Sequence, residues 1–143
     1  MGQRPLGEEV SMGAFLSVDY GTWSVVLEDN GRVAYAYLLD EGEICADVWL
    51  YNAGDTGPDP EWESEDAQTL MPFANHSDYV LNVPFTPLTD GVQWSVDWTG
   101  LSNDRGVRVY VEGVLWAELT PGEAPGSSRM VSCDGPLGRV LQS

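Results

Sequence analysis

Three runs of strand-forming residues follow one another between residues 22 and 52. "WSVVLED" and "RVAYAYLL" are joined at Asn30-Gly31, the dipeptide that best tolerates the two positive φ angles of a type I′ hairpin turn. "DEGE" then reverses the chain into "ICADVWLYN". Successive residues of a strand point to opposite faces, and both faces of the second run are apolar, as in a strand with neighbours on both sides. The pattern predicts a three-stranded antiparallel meander.

Strand patterns continue in the second half of the chain, at "DYVLNVPF" (78–85), "VQWSVDW", "GVRVYVEGVLWAEL", which reverses about Glu112-Gly113, and "SRMVSC". Helical periodicity is nearly absent. Eight or nine short strands with regular turns are typical of an antiparallel sandwich or barrel. The prediction is an all-β single domain over residues 1–143, an antiparallel β-sandwich or partly open barrel. Residues 1–12 and 134–143 are candidates for flexible ends.

The charge is the most unusual property of the composition. Asp and Glu number 23 against six basic residues, all of them Arg, so the net charge is −17. Nucleic acid and anionic membranes both bind clustered cations, so neither is an expected partner. A cationic protein partner is favoured instead. The first 21 residues lack the pattern of a signal peptide, which makes a cytoplasmic location the expectation.

A long acidic loop interrupts the strand pattern between Ala53 and Pro72, and loops of this length in compact domains are commonly functional. No Arg or Lys occurs between Arg32 and Arg105, whereas 14 acids do. We expect the acids of this loop to attract a basic partner and its tryptophan to serve as the interface anchor, because Trp is enriched at binding hot spots. Packing of that tryptophan beneath its own loop is the alternative. The candidate partner-binding residues are Asp55, Asp59, Glu61, Trp62, Glu63, Glu65 and Asp66.

A short helix over Trp62 to Leu70 is also expected in this loop, with Ser64 as a potential N-cap.

Enzymatic chemistry is poorly supplied, and no catalytic residue, cofactor or metal site is predicted. The only histidine, His76, lies in "NHSD", where neighbours along the chain point apart and cannot form a triad. Cys45 lies in a predicted strand, where a thiol acts as a small apolar group with a raised pKa. Two Cys and one His cannot complete a structural zinc site. An EF-hand reading of "DTGPDPE" fails because Pro60 stands where glycine is needed.

"VVLEDNGRVAYAYLL", "EICADVWLYN" and "MPFAN" resemble small uncharacterised bacterial proteins that share this meander, a likeness that implies no activity. In general character the chain is also similar to bacterial immunity proteins. The predicted function is therefore a non-enzymatic protein-binding module, most concretely an acidic immunity or inhibitor protein that neutralises a basic toxin. The alternatives are a carbohydrate-binding β-sandwich that uses its tryptophans, and an accessory or structural protein stabilised by calcium at Asp55, Asp59 and Glu61.

Overall fold

The computed structural model describes residues 13–53, 59–103 and 106–141. Their strands form two open β-sheets. The first sheet has the order β1-β2-β3-β4 and is antiparallel throughout. The second has the order β5-β6-β7-β8-β9, and only its last pair, β8 with β9, is parallel. The strands are β1 (Ala14–Tyr20), β2 (Trp23–Asp29), β3 (Val33–Asp40), β4 (Glu43–Asn52), β5 (Trp94–Asp97), β6 (Val107–Val111), β7 (Val114–Leu119), β8 (Ser127–Ser128) and β9 (Arg139–Val140).

Helical structure within the described residues is short. One α-helix, α1, spans Ala67–Leu70. Turns of 3₁₀-helix span Glu61–Glu63, Ser77–Tyr79, Leu88–Asp90 and Thr99–Asn103. The predicted all-β sandwich is thereby confirmed, with two sheets that do not close into a barrel.

The two sheets share one apolar core. In the first sheet the side chains facing the second sheet come from alternate positions of β2, β3 and β4, and Val25, Leu27, Ala36, Leu38 and Val48 are all fully buried. Val107, Val109, Ala117 and Leu119 supply the opposing surface. Full burial of a Val or Leu side chain stabilises a fold by roughly 1.5–3 kcal/mol, so these alternating positions supply the main driving force.

The free edge of β4 joins the two halves of the chain. The N–H groups of Gly122 and Gly126 donate to the carbonyls of Cys45 (2.9 Å) and Asp47 (2.8 Å), and the Trp49 N–H donates to the Leu137 carbonyl (3.1 Å). Leu137 lies in the segment that the sequence marked as a candidate flexible end. Residues 134–141 are instead hydrogen-bonded into the fold, since Asp134 Oδ1 also accepts from Val140 N–H (2.8 Å) and β9 pairs with β8. Residues 1–12 lie outside the described residues.

The expected turn at Asn30-Gly31 and the expected strand over 78–85 also need correction. The hairpin turn between β2 and β3 is not a type I′ turn at Asn30-Gly31, because only Gly31 has a positive φ (90°). Asn30 Oδ1 instead accepts from the N–H groups of Arg32 and Val33, both at 2.9 Å, which centres the turn on Gly31-Arg32. The expected strand over 78–85 is reduced to one bridge, Val80 with Val131.

The expected helix over Trp62 to Leu70 is divided into the 3₁₀ turn Glu61–Glu63 and α1. The Ser64 hydroxyl accepts from the Asp66 N–H (3.1 Å), so it stabilises the turn between them rather than capping one continuous helix.

The β3–β4 turn offers a small stability test. Glu41 has φ 51° in the left-handed region, where a side chain destabilises the fold by roughly 1–2 kcal/mol. Glycine would remove this strain, but it loses up to about 1 kcal/mol more backbone entropy on folding. Glu41→Gly should therefore raise the free energy of unfolding by about 0.5 kcal/mol in urea denaturation. Glu41→Gln removes the same charge but keeps the Cβ. An equal gain in that variant would attribute the effect to charge and contradict the backbone explanation.

Candidate functional site

A single arginine fastens the acidic loop, residues 53–72, to the end of the first sheet. Arg32, in the β2–β3 turn, donates from Nη1 to both carboxylate oxygens of Glu61, at 2.8 and 2.7 Å. Its Nη2 donates to the carbonyl of Leu70 and to that of Pro72, the latter at 2.6 Å. Glu61 Oε1 also accepts from the Ala74 N–H at 2.9 Å. One guanidinium therefore joins the middle of the loop, at Glu61, to its end at Leu70 and Pro72.

A second set of hydrogen bonds holds residues 73–75, which we call the returning chain, on the outer face of the first sheet. The outer face is the one turned away from the second sheet. The Tyr35 hydroxyl donates to the Phe73 carbonyl (2.8 Å). Asn52 accepts from the Asn75 N–H (2.8 Å) and donates to the Asn75 carbonyl (2.9 Å), while its Oδ1 also accepts from Trp49 Nε1 (2.8 Å). The fully buried Trp49 and the nearly buried Tyr35 thus form the floor beneath residues 73–75.

Trp62, in the loop, packs against aromatic side chains of the segment that follows the loop. Its ring centroid lies 6.4 Å from that of Phe73 and 6.0 Å from that of Tyr79, in edge and tilted arrangements. Aromatic pairs in such arrangements contribute about 0.5–1.5 kcal/mol beyond the area they bury. The indole is half-buried, so part of it supports the loop while the remainder faces solvent.

The acids predicted for partner binding divide into two groups. Glu61 has a side chain only 16% exposed and points inward to Arg32. Asp59, Glu63, Glu65 and Asp66 are exposed, and within the described residues none of them forms an ion pair. Asp55 lies outside the described residues. The loop therefore presents at least four carboxylates outward from a base that uses the fifth as an internal tie.

Exposed acids also occur away from the loop. Glu41 and Glu43 lie in and after the β3–β4 turn, at the opposite end of the first sheet, and Asp90 ends a 3₁₀ turn. The other described ion pairs of arginine lie on the second sheet and its edge, Arg108 with Glu118 and Arg139 with Glu123, both at 3.1 Å. The negative charge is thus broad, and the loop is distinguished by how it is held rather than by its charge alone.

Two groups that could act chemically lie near Asp78: the Cys133 thiol donates to the Asp78 carbonyl at 3.5 Å, and His76 Nδ1 lies 3.4 Å from Asp78 Oδ2. Cys45 and Cys133 are free thiols, and burial raises the pKa of Cys45, which makes its thiolate scarce at neutral pH. His76 Nδ1 accepts from the Asp78 N–H at 3.1 Å and so helps to cap a 3₁₀ turn. Within the described ranges, no three His, Cys, Asp or Glu side chains are grouped so as to hold a metal ion.

The tryptophans are distributed through the core rather than along one exposed surface. Trp49 and Trp116 are 0% and 5% exposed. Trp23, Trp94 and Trp98 are half-buried and pack against the core cluster. These five tryptophans therefore contribute mainly to the packing of the core. Among residues 13–53, 59–103 and 106–141, no helix is long and apolar enough to cross a membrane.

Sequence reasoning missed the residues that shape the site, namely Arg32, Tyr35 and Asn52. A signal for Arg32 was present: it is the last basic residue before a span of 72 residues without another, and a lone cation followed by many acids is a natural partner for one of them. No family model, curated protein or solved structure matches the chain. What the site can do is therefore argued from its own geometry.

Proposed function

We propose that this protein is a non-enzymatic binding module whose acidic loop docks a cationic protein, most concretely an immunity or inhibitor protein that neutralises a basic toxin. The observation that carries the proposal is the Arg32 tie. It holds the loop at Glu61, Leu70 and Pro72, while Asp59, Glu63, Glu65 and Asp66 are exposed and form no ion pair within the described residues. A flexible loop that served solubility alone would need no such tie.

Preorganisation supports this function because ordering a loop on binding costs free energy, and a loop already ordered avoids that cost. Four outward carboxylates also produce a local negative field. Such a field accelerates encounter with a positive surface, to about 10⁸–10⁹ M⁻¹s⁻¹ at low salt. Occupation of a toxin's cationic groove by the loop would block access of an anionic substrate. The exposed part of Trp62 would supply apolar contact beside these charges.

The test compares two variants of equal charge. The loop variant carries Glu63→Gln, Glu65→Gln and Asp66→Asn. The control carries Glu41→Gln, Glu43→Gln and Asp90→Asn, and thus also removes two Glu and one Asp from exposed positions. At low ionic strength, the loop variant should associate with the basic protein encoded by the adjacent reading frame at least tenfold more slowly than the wild type does. The control should change the association rate less than threefold.

Kinetics measured between roughly 50 and 300 mM NaCl provide the readout, since exposed charges are screened over a Debye length of about 8–10 Å near physiological salt. Equal losses in both variants would reduce the effect to net charge and contradict a role for the loop. Binding that is tight but insensitive to both salt and the loop variant, or an adjacent frame that encodes no basic protein, would also count against the proposal.

A further inference from the structure

The outer face of the first sheet is only partly covered by the returning chain. At its Tyr35 and Trp49 end, residues 73–75 lie on the sheet. The rest of the face is formed by the outward positions of all four strands, as the cross-strand register assigns them. We call this the open face; it consists of Phe15, Ser17, Asp19, Ser24, Val26, Glu28, Tyr37, Leu39, Ile44 and Asp47.

The open face is apolar at two opposite corners and at its centre, and Asp19 occupies a third corner. Phe15 on β1 and Ile44 on β4 are 67% and 61% exposed, the two most exposed large aliphatic or aromatic side chains of the described strands. Between them lie the half-buried Val26, Tyr37 and Leu39. Contiguous exposed apolar surface of this kind commonly marks an interaction site.

Two carboxylates flank the central tyrosine. Asp47 lies directly across from Tyr37 on β4, and Glu28 lies on β2, one row further along. Both act electrostatically on the Tyr37 hydroxyl. Within the described residues, neither carboxylate makes a hydrogen bond or an ion pair. Burial raises the pKa of Asp47, which records that its charge is partly desolvated without a compensating cation.

The charge of the open face indicates which kind of chemical group would complement it. No strand position on the outer face carries a basic residue, and the guanidinium of Arg32 at its end is already engaged by Glu61. A second copy of the chain would bring a net charge of −17 against another −17, which opposes self-association through this surface. A cationic group with apolar neighbours complements the face in both respects.

We propose that the open face binds an arginine side chain of the cationic partner, with the guanidinium against the Tyr37 ring and between the carboxylates of Asp47 and Glu28. This deepens the proposed function, on which it rests, by assigning a second contact for the same partner. Tyr37 stacks on Tyr35 at 5.9 Å, and the Tyr35 hydroxyl donates to the carbonyl of Phe73, the residue directly after the acidic loop, so the open face and the loop are adjacent.

Arginine fits this position better than lysine for two reasons. Its planar guanidinium stacks on aromatic faces and is more weakly hydrated than an ammonium group, so less is lost when it meets a half-buried surface. It also carries five N–H donors in a fork, enough to reach two separate carboxylates at once. Val26 and Leu39 would contact the apolar stem.

The experiment uses acetyl-arginine-amide as the probe, with the neutral isostere acetyl-citrulline-amide as its control. In ¹H–¹⁵N NMR titration of the full chain, arginine should give saturable shifts at residues 24–28, 36–39 and 44–48, with a dissociation constant at least fivefold below that of citrulline. Asp47→Asn combined with Glu28→Gln should weaken arginine binding by roughly tenfold. The Glu41→Gln, Glu43→Gln pair removes equal charge and should change it less than twofold.

Three results would overturn the proposal: equal binding of citrulline, shifts confined to residues 59–72, or no weakening in the Asp47, Glu28 variant. NOE contacts between Arg4 and the Tyr37 ring in the free protein would also overturn it, since the chain's own first segment would then be the occupant. Partner binding measured on the same variants separates the two proposals. If acetyl-arginine-amide does not bind the open face while partner binding still depends on the acidic loop, only the open-face proposal is contradicted.

Discussion

Raising the pH from 10 to 12 should lower the free energy of unfolding by about 6 kcal/mol, enough to unfold a domain near the lower end of the ordinary range of roughly 5–15 kcal/mol. Three tyrosines of the first sheet cause this. Burial raises the pKa of Tyr37 to about 12, with the charges of Glu28 and Asp47 adding to the effect. Burial also raises the pKa of Tyr35, and burial together with the hydrogen bond to Asp29 raises that of Tyr51.

The sign follows from which state ionises first. In the unfolded chain each phenol has a pKa near 10, whereas in the folded protein it stays neutral to higher pH. Below pH 10 both states are protonated and stability is unaffected. Above it the unfolded state loses protons first, and each tyrosine removes at most about 1.4 kcal/mol per pH unit. For Tyr37 the loss ends near pH 12, where the folded phenol also ionises.

Urea denaturation at intervals between pH 9 and 12 measures this slope, and absorbance at 295 nm follows phenolate formation. Tyr37→Phe should reduce the slope by less than a third, that is by less than about 1.4 kcal/mol per pH unit, because the half-buried Tyr37 is partly screened by solvent. Its stability at pH 7 should be nearly unchanged, because the Tyr37 hydroxyl makes no hydrogen bond to a described residue. A slope equal to that of the wild type would mean that this phenol is as well solvated in the folded state as in the unfolded one.

The strands could be predicted where the pattern and its partner are both local. β2, β3 and β4 follow one another along the chain, so alternation and turn residues were sufficient. The segment 78–85 has equally good alternation, but Leu81, Val83 and Phe85 remain 36–38% exposed because its partner, near Met130, offers only a short pairing. β9 was missed for the converse reason: two residues form a strand only because β8 lies beside them.

The turn at Asn30 failed for a more specific reason. Asn30-Gly31 favours a type I′ turn when the side chain of asparagine is free, but here its Oδ1 accepts two backbone N–H groups and Asp29 Oδ1 accepts the Gly31 N–H at 2.7 Å. Asp29 is itself held by the Tyr51 hydroxyl at 2.5 Å, a contact across 22 residues. No local pattern encodes that contact. The charge of the acidic loop could be predicted from the sequence. Its attachment could not, because it depends on the long-range hydrogen bonds of Arg32.

Replacing Arg32 with methionine should lower the free energy of unfolding by about 2–3 kcal/mol, the second large effect expected here. The side chain of Arg32 is 37% exposed, which reduces the cost below that of a fully buried pair, but Glu61 is only 16% exposed and would keep its charge without a counter-ion. The carbonyls of Leu70 and Pro72 would lose their donor as well. Amide exchange of residues 61–74 should accelerate by more than tenfold, since local opening would no longer break these bonds.

Arg108→Met is the matched control, because it removes the same charge from an ion pair whose side chains are 46% and 29% exposed. Exposed pairs contribute about 0–1 kcal/mol, so its effect should be at most a third of that of Arg32→Met. Adding Glu61→Gln to Arg32→Met should recover part of the loss, since a neutral amide can still accept from Ala74 N–H. If Arg32→Met and Arg108→Met were equally mild and loop exchange were unchanged, the loop would not be held by this tie. Its outward acids would then have no preorganised support, and the case for docking through them would lose its basis.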